Sequence, residues 1–311
     1  MSKAKGSKGA DRIDRAKAET QATKALAVIT RAGVIQSVGT NRDYKSCLTA
    51  FTQFIKDEKL GDLRHSTSEI ATRYLESRKD ELAQKSLDMQ RQAIQAYFVA
   101  RGDMAKGDHL PIVKSEVETV LKHRAYTEAQ VDRVAEAQNE RNAFTTRLAY
   151  ATGIRAHEAF TIRPIAEQPA DIRKYENGHE KNLDTKWQGR EEGERYSVVG
   201  KGGLCREIRV PSDLAKELEA RRLDEPRMVV DRNVKYESHY DLAGGKNWSS
   251  SFSSASERAL GWSSGAHGLR HSYAQERMQE LMPRCNYEKA LETVSQEMGH
   301  FRAEITTTYL R

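Results

Sequence analysis

Apolar positions in the first hundred residues fall on helical stripes. From Arg42 onward, Tyr44, Leu48, Phe51 and Ile55 stand at i, i+4, i+7 and i+11, one face of a helix. Before it, Glu19 to Arg31 contains neither Gly nor Pro and is also read as helix. Gly61-Asp62 interrupts, and Thr67 or Ser68 offers the cap of a third helix bearing Ile70, Tyr74 and Leu75. Leu87, Ile94, Tyr97 and Phe98 mark a fourth, ending near Gly102. Four short helices over 19–105 predict a small bundle. Residues 106–118 hold Gly107 and Pro111 and no clear period, as expected of a linker.

The pattern changes over 119–311. Thr127 with Gln130 three residues on is a capping box ahead of Val131 and Val134. A helix is predicted from Glu140 to Thr152, stopped by Gly153, and another from Arg155 to Pro164. Residues 165–195 are polar and irregular, a long surface excursion. Tyr196 to Val199 and Glu207 to Val210 read as strands flanking Gly200-Lys201-Gly202-Gly203, a hairpin tip. Leu214 to Leu223 is predicted helical. The Gly- and Ser-rich stretch 244–256 keeps Trp248 and Phe252 and so can still pack. From His267 to Arg311 the chain is mostly helical again. The expected fold is mainly α with a small β-hairpin or sheet, as a helical domain followed by a mixed α/β domain.

Composition narrows the function. Of the 311 residues, 31% are charged, and no apolar run is long enough for a membrane span or follows the basic N-terminus as a secretory signal would. The odd, scattered Cys47, Cys205 and Cys285 build neither a disulfide framework nor a CxxC metal site, which fits a cytoplasmic protein. A net charge of +6 permits a polyanionic partner. Part of the excess is local: Lys3, Lys5, Lys8 and Arg12, among Gly6, Ser7 and Gly9, predict a flexible basic arm over 1–18 that would touch DNA.

Four segments could carry chemistry. In His267-Gly268-Leu269-Arg270-His271, His267 and Arg270 share a helix face, and a phosphate would reconcile the two cations because Arg presents a fork of donors to its oxygens. Arg155 follows the sharp turn at Gly153, near a helix N-terminus that attracts anions; taken alone, Arg155 with Glu158 is a surface ion pair of little worth. His300 precedes Tyr309 by nine residues. Lys201 stands at a glycine-flanked hairpin tip, where such a residue is ordinarily solvated. Each signal alone is modest.

Their order and spacing resemble the catalytic domain of the tyrosine recombinases, the phage-integrase family. The matching segments are Ala151-Thr152-Gly153-Ile154-Arg155 with Glu158, Gly200-Lys201-Gly202-Gly203, His267-Gly268-Leu269-Arg270-His271-Ser272-Tyr273-Ala274, and Met298-Gly299-His300 with Tyr309. The first helical domain resembles the family's core-binding domain less specifically. The resemblance implies a site-specific recombinase or integrase, serving integration or excision of a mobile element, that cuts and rejoins duplex DNA through a 3′-phosphotyrosyl intermediate without metal or other cofactor. Tyr309 would be the nucleophile, Arg155 and Arg270 the phosphate clamp, Lys201 the general acid, His267 the proton-transfer partner, and His300 a phosphate ligand. The implied partners are double-stranded DNA, a homotetramer on two DNA sites, and accessory DNA-bending proteins. The chain departs from the family pattern in the long 165–195 region, in Arg163-Pro164 cutting a helix early, and in running only two residues past Tyr309, where many relatives continue into a segment that docks on a neighbouring subunit. Rival readings are a type IB topoisomerase sharing the catalytic set, a catalytically silent DNA-binding relative, and a metal-dependent nuclease, which needs clustered carboxylates where acidic runs such as Glu191-Glu192 read as solvated loop.

Overall fold

Ala18, Ala22, Ala25 and Ile29 recur at helical spacing, and all four are buried on helix α1 (Lys5–Arg31). The computed structural model describes residues 5–35, 38–118, 123–171, 185–200, 202–300 and 302–310, with side chains described from residue 16 onward on α1 and from residue 39 on the helix after it. In place of a flexible arm over 1–18, the helix begins at Lys5. The stretch has no proline, its Ala, Lys and Arg residues favour helix, and it continues into the apolar stripe that anchors α1.

The chain divides into two units, Met1–Val120 and Leu121–Arg311. In the first, α1 joins α2 (Val38–Asp57), α3 (Ser68–Glu76) and α4 (Gln84–Arg101). Leu48, Phe51 and Ile55 of α2 are buried with Tyr74 and Leu75 of α3 and Ile94 and Phe98 of α4. Phe51 and Phe54 both lie against the Tyr74 ring, with centroids 5.1 and 5.2 Å away. Thr67 caps α3 through its side chain, and Gly102 closes α4 in the left-handed conformation. The segment expected to be a free linker, 106–118, is irregular but packed. Leu110 and Val113 enter this core. The Gln84 side chain holds Val113 O at 3.1 Å and Ser115 N at 2.9 Å, which satisfies backbone that would otherwise be stranded.

In the second unit α5 (Glu128–Glu136) opens with the capping box of Thr127 and Gln130, and α6 (Glu140–Thr152) ends at Gly153. The helix expected from Arg155 to Pro164 does not form. A 3-10 turn over Glu158–Thr161 replaces it, because Glu158 folds back onto the Arg155 amide and Ile162 is already extended. Arg163–Pro164 (β1) pairs antiparallel with Glu194–Val199 (β2), which pairs with Cys205–Val210 (β3). Pro164, with no N–H to give, takes the edge strand. The far end of the 165–195 excursion is not solvated either: Trp187 is buried and its amide bonds Glu297 at 3.1 Å.

Helix α7 (Ser212–Glu219) stops short of the Leu223 expected for it. A second hairpin follows instead, β4 (Arg222–Asp231) and β5 (Val234–Tyr240), turning on Arg232 and Asn233, both at positive φ. The Gly- and Ser-rich stretch is helix α8 (Gly245–Leu260), which buries Trp248 and Phe252 one turn apart. Trp248 Nε1 donates to Thr146 Oγ1 at 3.1 Å, so the indole is buried with its polar group satisfied. The chain closes with α9 (Gly268–Leu281), α10 (Tyr287–Glu297) and α11 (Ala303–Thr307). No helix among the described residues is long and apolar enough to cross a membrane.

Phe51 is fully buried in the first core, so Phe51→Ala in the full chain is expected to destabilise that unit by about 3–5 kcal/mol. Urea unfolding followed by helical circular dichroism measures it. A loss below about 1 kcal/mol would mean the neighbouring side chains collapse into the space.

Candidate active site

The turn after α6 sets the first wall. Gly153 has φ +62°, and a Cβ there would come within 2.7 Å of the Tyr273 ring, so only glycine closes α6 this tightly. The turn delivers Arg155, whose amide and Nη1 bond Glu158 Oε2 and Oε1 at 2.8 and 2.6 Å. This is not the surface pair expected from the sequence: the Glu158 side chain is fully buried and that of Arg155 is 22% exposed. Arg206 of β3 completes the set, with Nη2 donating to Glu158 Oε2 at 2.8 Å. Burial by itself would raise the Glu158 pKa, but the charges of Arg206, Arg155 and Arg270 outweigh it and hold the carboxylate ionised well below its usual range.

Helix α9 brings in the second arginine. Arg270 is 1% exposed; Nη1 bonds Gly153 O, and Nη2 bonds Met298 O at 3.2 Å and His300 Nε2 at 3.0 Å. A guanidinium only donates, so Nε2 of His300 is the acceptor. The ring proton is then on Nδ1, which faces Thr306 Oγ1 at 3.3 Å. Among the described residues, none accepts from Arg270 Nε. Burial, then the like charge of Arg155, pushes the Arg270 pKa down to about 10. One carboxylate thus faces three arginines, a local positive excess suited to an anion.

Tyr309 lies in this pocket and is 8% exposed. Its ring stacks on His300, with centroids 4.9 Å apart and planes 27° apart. The rings of His271 and His267 stand 4.8 and 5.4 Å away, and Arg270 Cζ is 5.5 Å from the Tyr309 centroid. The backbone seats it: Tyr309 N bonds Thr306 O at 2.8 Å, and Gln275 Nε2 bonds Tyr309 O at 3.3 Å. His267 as a whole is exposed, but its ring stands among these groups. Desolvation there, then the Arg270 charge, lowers its pKa to about 4. The same causes bring His300 to about 3, while burial and Arg124 bring His271 to about 4.

The structure therefore gathers five of the six residues singled out for catalysis: Arg155, His267, Arg270, His300 and Tyr309. Lys201 lies outside the described residues; its neighbour Gly200 is at the site, where a Cβ would stand 3.1 Å from Glu158 Oε1. Of the basic residues assigned to DNA, Lys3 lies outside the described residues, and Lys5, Lys8 and Arg12 lie on α1 where only the backbone is described. Sequence reasoning missed Arg206. The signal was present, because Arg206, Ile208 and Val210 alternate on β3 and all three are buried. It also missed Glu297, whose carboxylate holds Arg277 Nε and Nη2 at 2.9 Å and the Tyr273 hydroxyl at 3.0 Å and so fixes the end of α10 just before His300.

No protein-family model and no curated protein matches the sequence. Solved structures do. A lambda integrase dimer bound to a core site is similar at TM-score 0.58 and 15% identity, covering 94% of this chain and 76% of that one. The Tn1549 transposon integrase in complex with transposon right-end DNA matches at 0.55 and 12%, covering 94% of each chain. The XerH site-specific recombinase bound to its difH substrate matches at 0.52 and 16%, covering 87% and 75%. The fold is that of the tyrosine recombinases. The expected class, a helical domain followed by a mixed α/β domain of this family, is the one observed.

The three histidines make folding pH-dependent. Unfolded, each takes up a proton below its ordinary 6.5; folded, His267 and His271 do so only near about 4 and His300 near about 3. Between these values the unfolded chain binds more protons, so stability falls as pH is lowered. The urea midpoint is expected to drop from about pH 7 to about pH 5, and less steeply in His300→Gln. An unchanged slope in that variant would remove His300 from the account.

Proposed function

We propose that this chain is a site-specific DNA recombinase that cuts and rejoins duplex DNA through a covalent link to Tyr309. The observation that carries the reading is the convergence of Arg270, His267 and His300 around the ring of Tyr309, in a pocket that Arg155 also charges and where a buried guanidinium nitrogen of Arg270 has no partner among the described residues.

A phosphodiester entering the pocket supplies the missing anion. Arg155 and Arg270 hold its non-bridging oxygens, where charge gathers in the transition state. The Tyr309 oxygen attacks phosphorus, the bond to the 5′-oxygen breaks, and a 3′-phosphotyrosyl link forms. His267, neutral without DNA, accepts the phenol proton; the phosphate charge makes it a stronger base on arrival by offsetting Arg270. Lys201 protonates the departing 5′-oxygen, and His300 takes up a solvent proton at Nε2 as the phosphate charge raises its pKa, releases Arg270 and donates to a phosphate oxygen. One phosphodiester is exchanged for another, so the bond energy is kept for religation and no ATP is consumed. The basic balance of the chain, with Lys3, Lys5, Lys8 and Arg12 at its start, adds salt-sensitive grip on the DNA backbone.

The similar lambda integrase has been captured as a tetramer bound to a Holliday junction. An equivalent assembly of four copies on two duplexes is the arrangement proposed here, with integration or excision of a mobile element as its outcome and the nucleoid as its place of action.

Covalent trapping tests the reading. The protein is incubated with fragmented genomic DNA of its source in EDTA, denatured with SDS, and the protein-linked DNA is sequenced. Wild type is expected to retain DNA ends sharing one sequence, and Tyr309→Phe to retain none. Ends scattered without a shared sequence would indicate a topoisomerase instead. Equal recovery with Tyr309→Phe would refute the tyrosine link.

A further inference from the structure

Arg206 belongs to none of the motifs that pointed to the site, yet it touches both of its walls. Its side chain is 4% exposed. Nη2 donates to Glu158 Oε2 at 2.8 Å, and Nη1 donates to the Glu297 carbonyl at 2.8 Å. Glu297 ends α10, and three residues later the chain reaches His300. Gly299 in between has φ +72°, and a Cβ there would lie 2.7 Å from Arg206 Cδ, so the turn is shaped around the guanidinium stem. On the other side, Glu158 binds the amide and Nη1 of Arg155.

Burying a guanidinium and a carboxylate is a poor route to stability, because apolar side chains of the same volume would do as well or better. Position is what the pair supplies. A Glu158 carboxylate with Arg155 as its sole partner would draw that guanidinium inward. Sharing the carboxylate with Arg206 satisfies it, and Arg155 keeps Nε and Nη2, which bond no described residue, for an incoming phosphate. The second arm of Arg206 ties the same carboxylate to the turn carrying His300.

We propose that Arg206 is a positioning residue for phosphoryl transfer, holding Glu158, and through it Arg155, in register with the His300 turn. This rests on the recombinase reading above. Arg206 does not touch the substrate; it acts through the two groups that do.

The test compares full-length wild type with Arg206→Met, Arg206→Gln and Arg206→Lys. The first readout is single-turnover formation of the covalent complex on a nicked duplex built on the trapped site, over a range of pH. The second is the affinity for orthovanadate, which mimics the five-coordinate phosphate and needs no DNA sequence. Misplacing Arg155 is expected to slow cleavage ~100-fold in the Met and Gln variants, with duplex affinity within about threefold of wild type. The acid limb of the cleavage profile is expected to move up in pH, since Glu158 loses its strongest cation and protonates more readily. Arg206→Lys should recover part of the rate, and orthovanadate should bind at least about tenfold more weakly to Met and Gln.

Folded Met or Gln variants with wild-type cleavage, acid limb and orthovanadate affinity overturn the proposal. Loss of fold in both assigns Arg206 to stability alone and also overturns it. Should wild type form no covalent complex while orthovanadate binding depends on Arg206, the recombinase reading fails and the positioning of an anion by Arg206 stands.

Discussion

The Glu158 side chain is fully buried, and among the described residues its charge is balanced by guanidinium groups. That constraint sets much of what surrounds it. A buried carboxylate without cations would take up a proton, and the arginines would then repel one another across a small space. Held ionised, it lets Arg155, Arg206 and Arg270 crowd into one pocket while falling short of neutralising them. Among the described residues no further carboxylate makes up the shortfall at Arg270, which leaves the pocket suited to an anion.

The histidines follow from the same imbalance. Desolvated first of all, and then with cations on several sides, His267, His271 and His300 are neutral at ordinary pH, and His300 presents its lone pair to Arg270 rather than a proton. As neutral rings they can each take up a proton when a negative charge enters the pocket. Tyr309 rests among them by stacking, so a modest rotation of the short α11 segment would move the ring without breaking a buried ion pair.

Much of this was legible in the sequence. Helix α6 was readable because Gly153 marks its end, and the capping box of Thr127 and Gln130 is a local device needing no tertiary partner. Arg155, His267, Arg270, His300 and Tyr309 were found through order and spacing. What escaped depends on burial. Glu158 looked like half of a surface pair because sequence spacing does not tell that solvent is absent. Arg206 stood just outside the strand predicted from Glu207, and its alternation with Ile208 and Val210 turns it inward. The β4–β5 hairpin went unseen because its turn uses Arg232-Asn233 in place of the usual Asn-Gly, and because Pro226 argues against a strand.

That hairpin carries its own safeguard against self-association. A two-stranded ribbon leaves both outer edges open, and Met228 and Val230, 62% and 63% exposed, would make an edge attractive to strands from other copies. The register of β4 breaks between Arg222 and Arg227, and Pro226 within the break has no N–H to offer an incoming strand. Arg227, Lys235 and Glu237 add charges beside the apolar pair. The uninterrupted pairing surface is thereby kept to a few residues. The exposed backbone of the ribbon thus offers little to a strand from another copy.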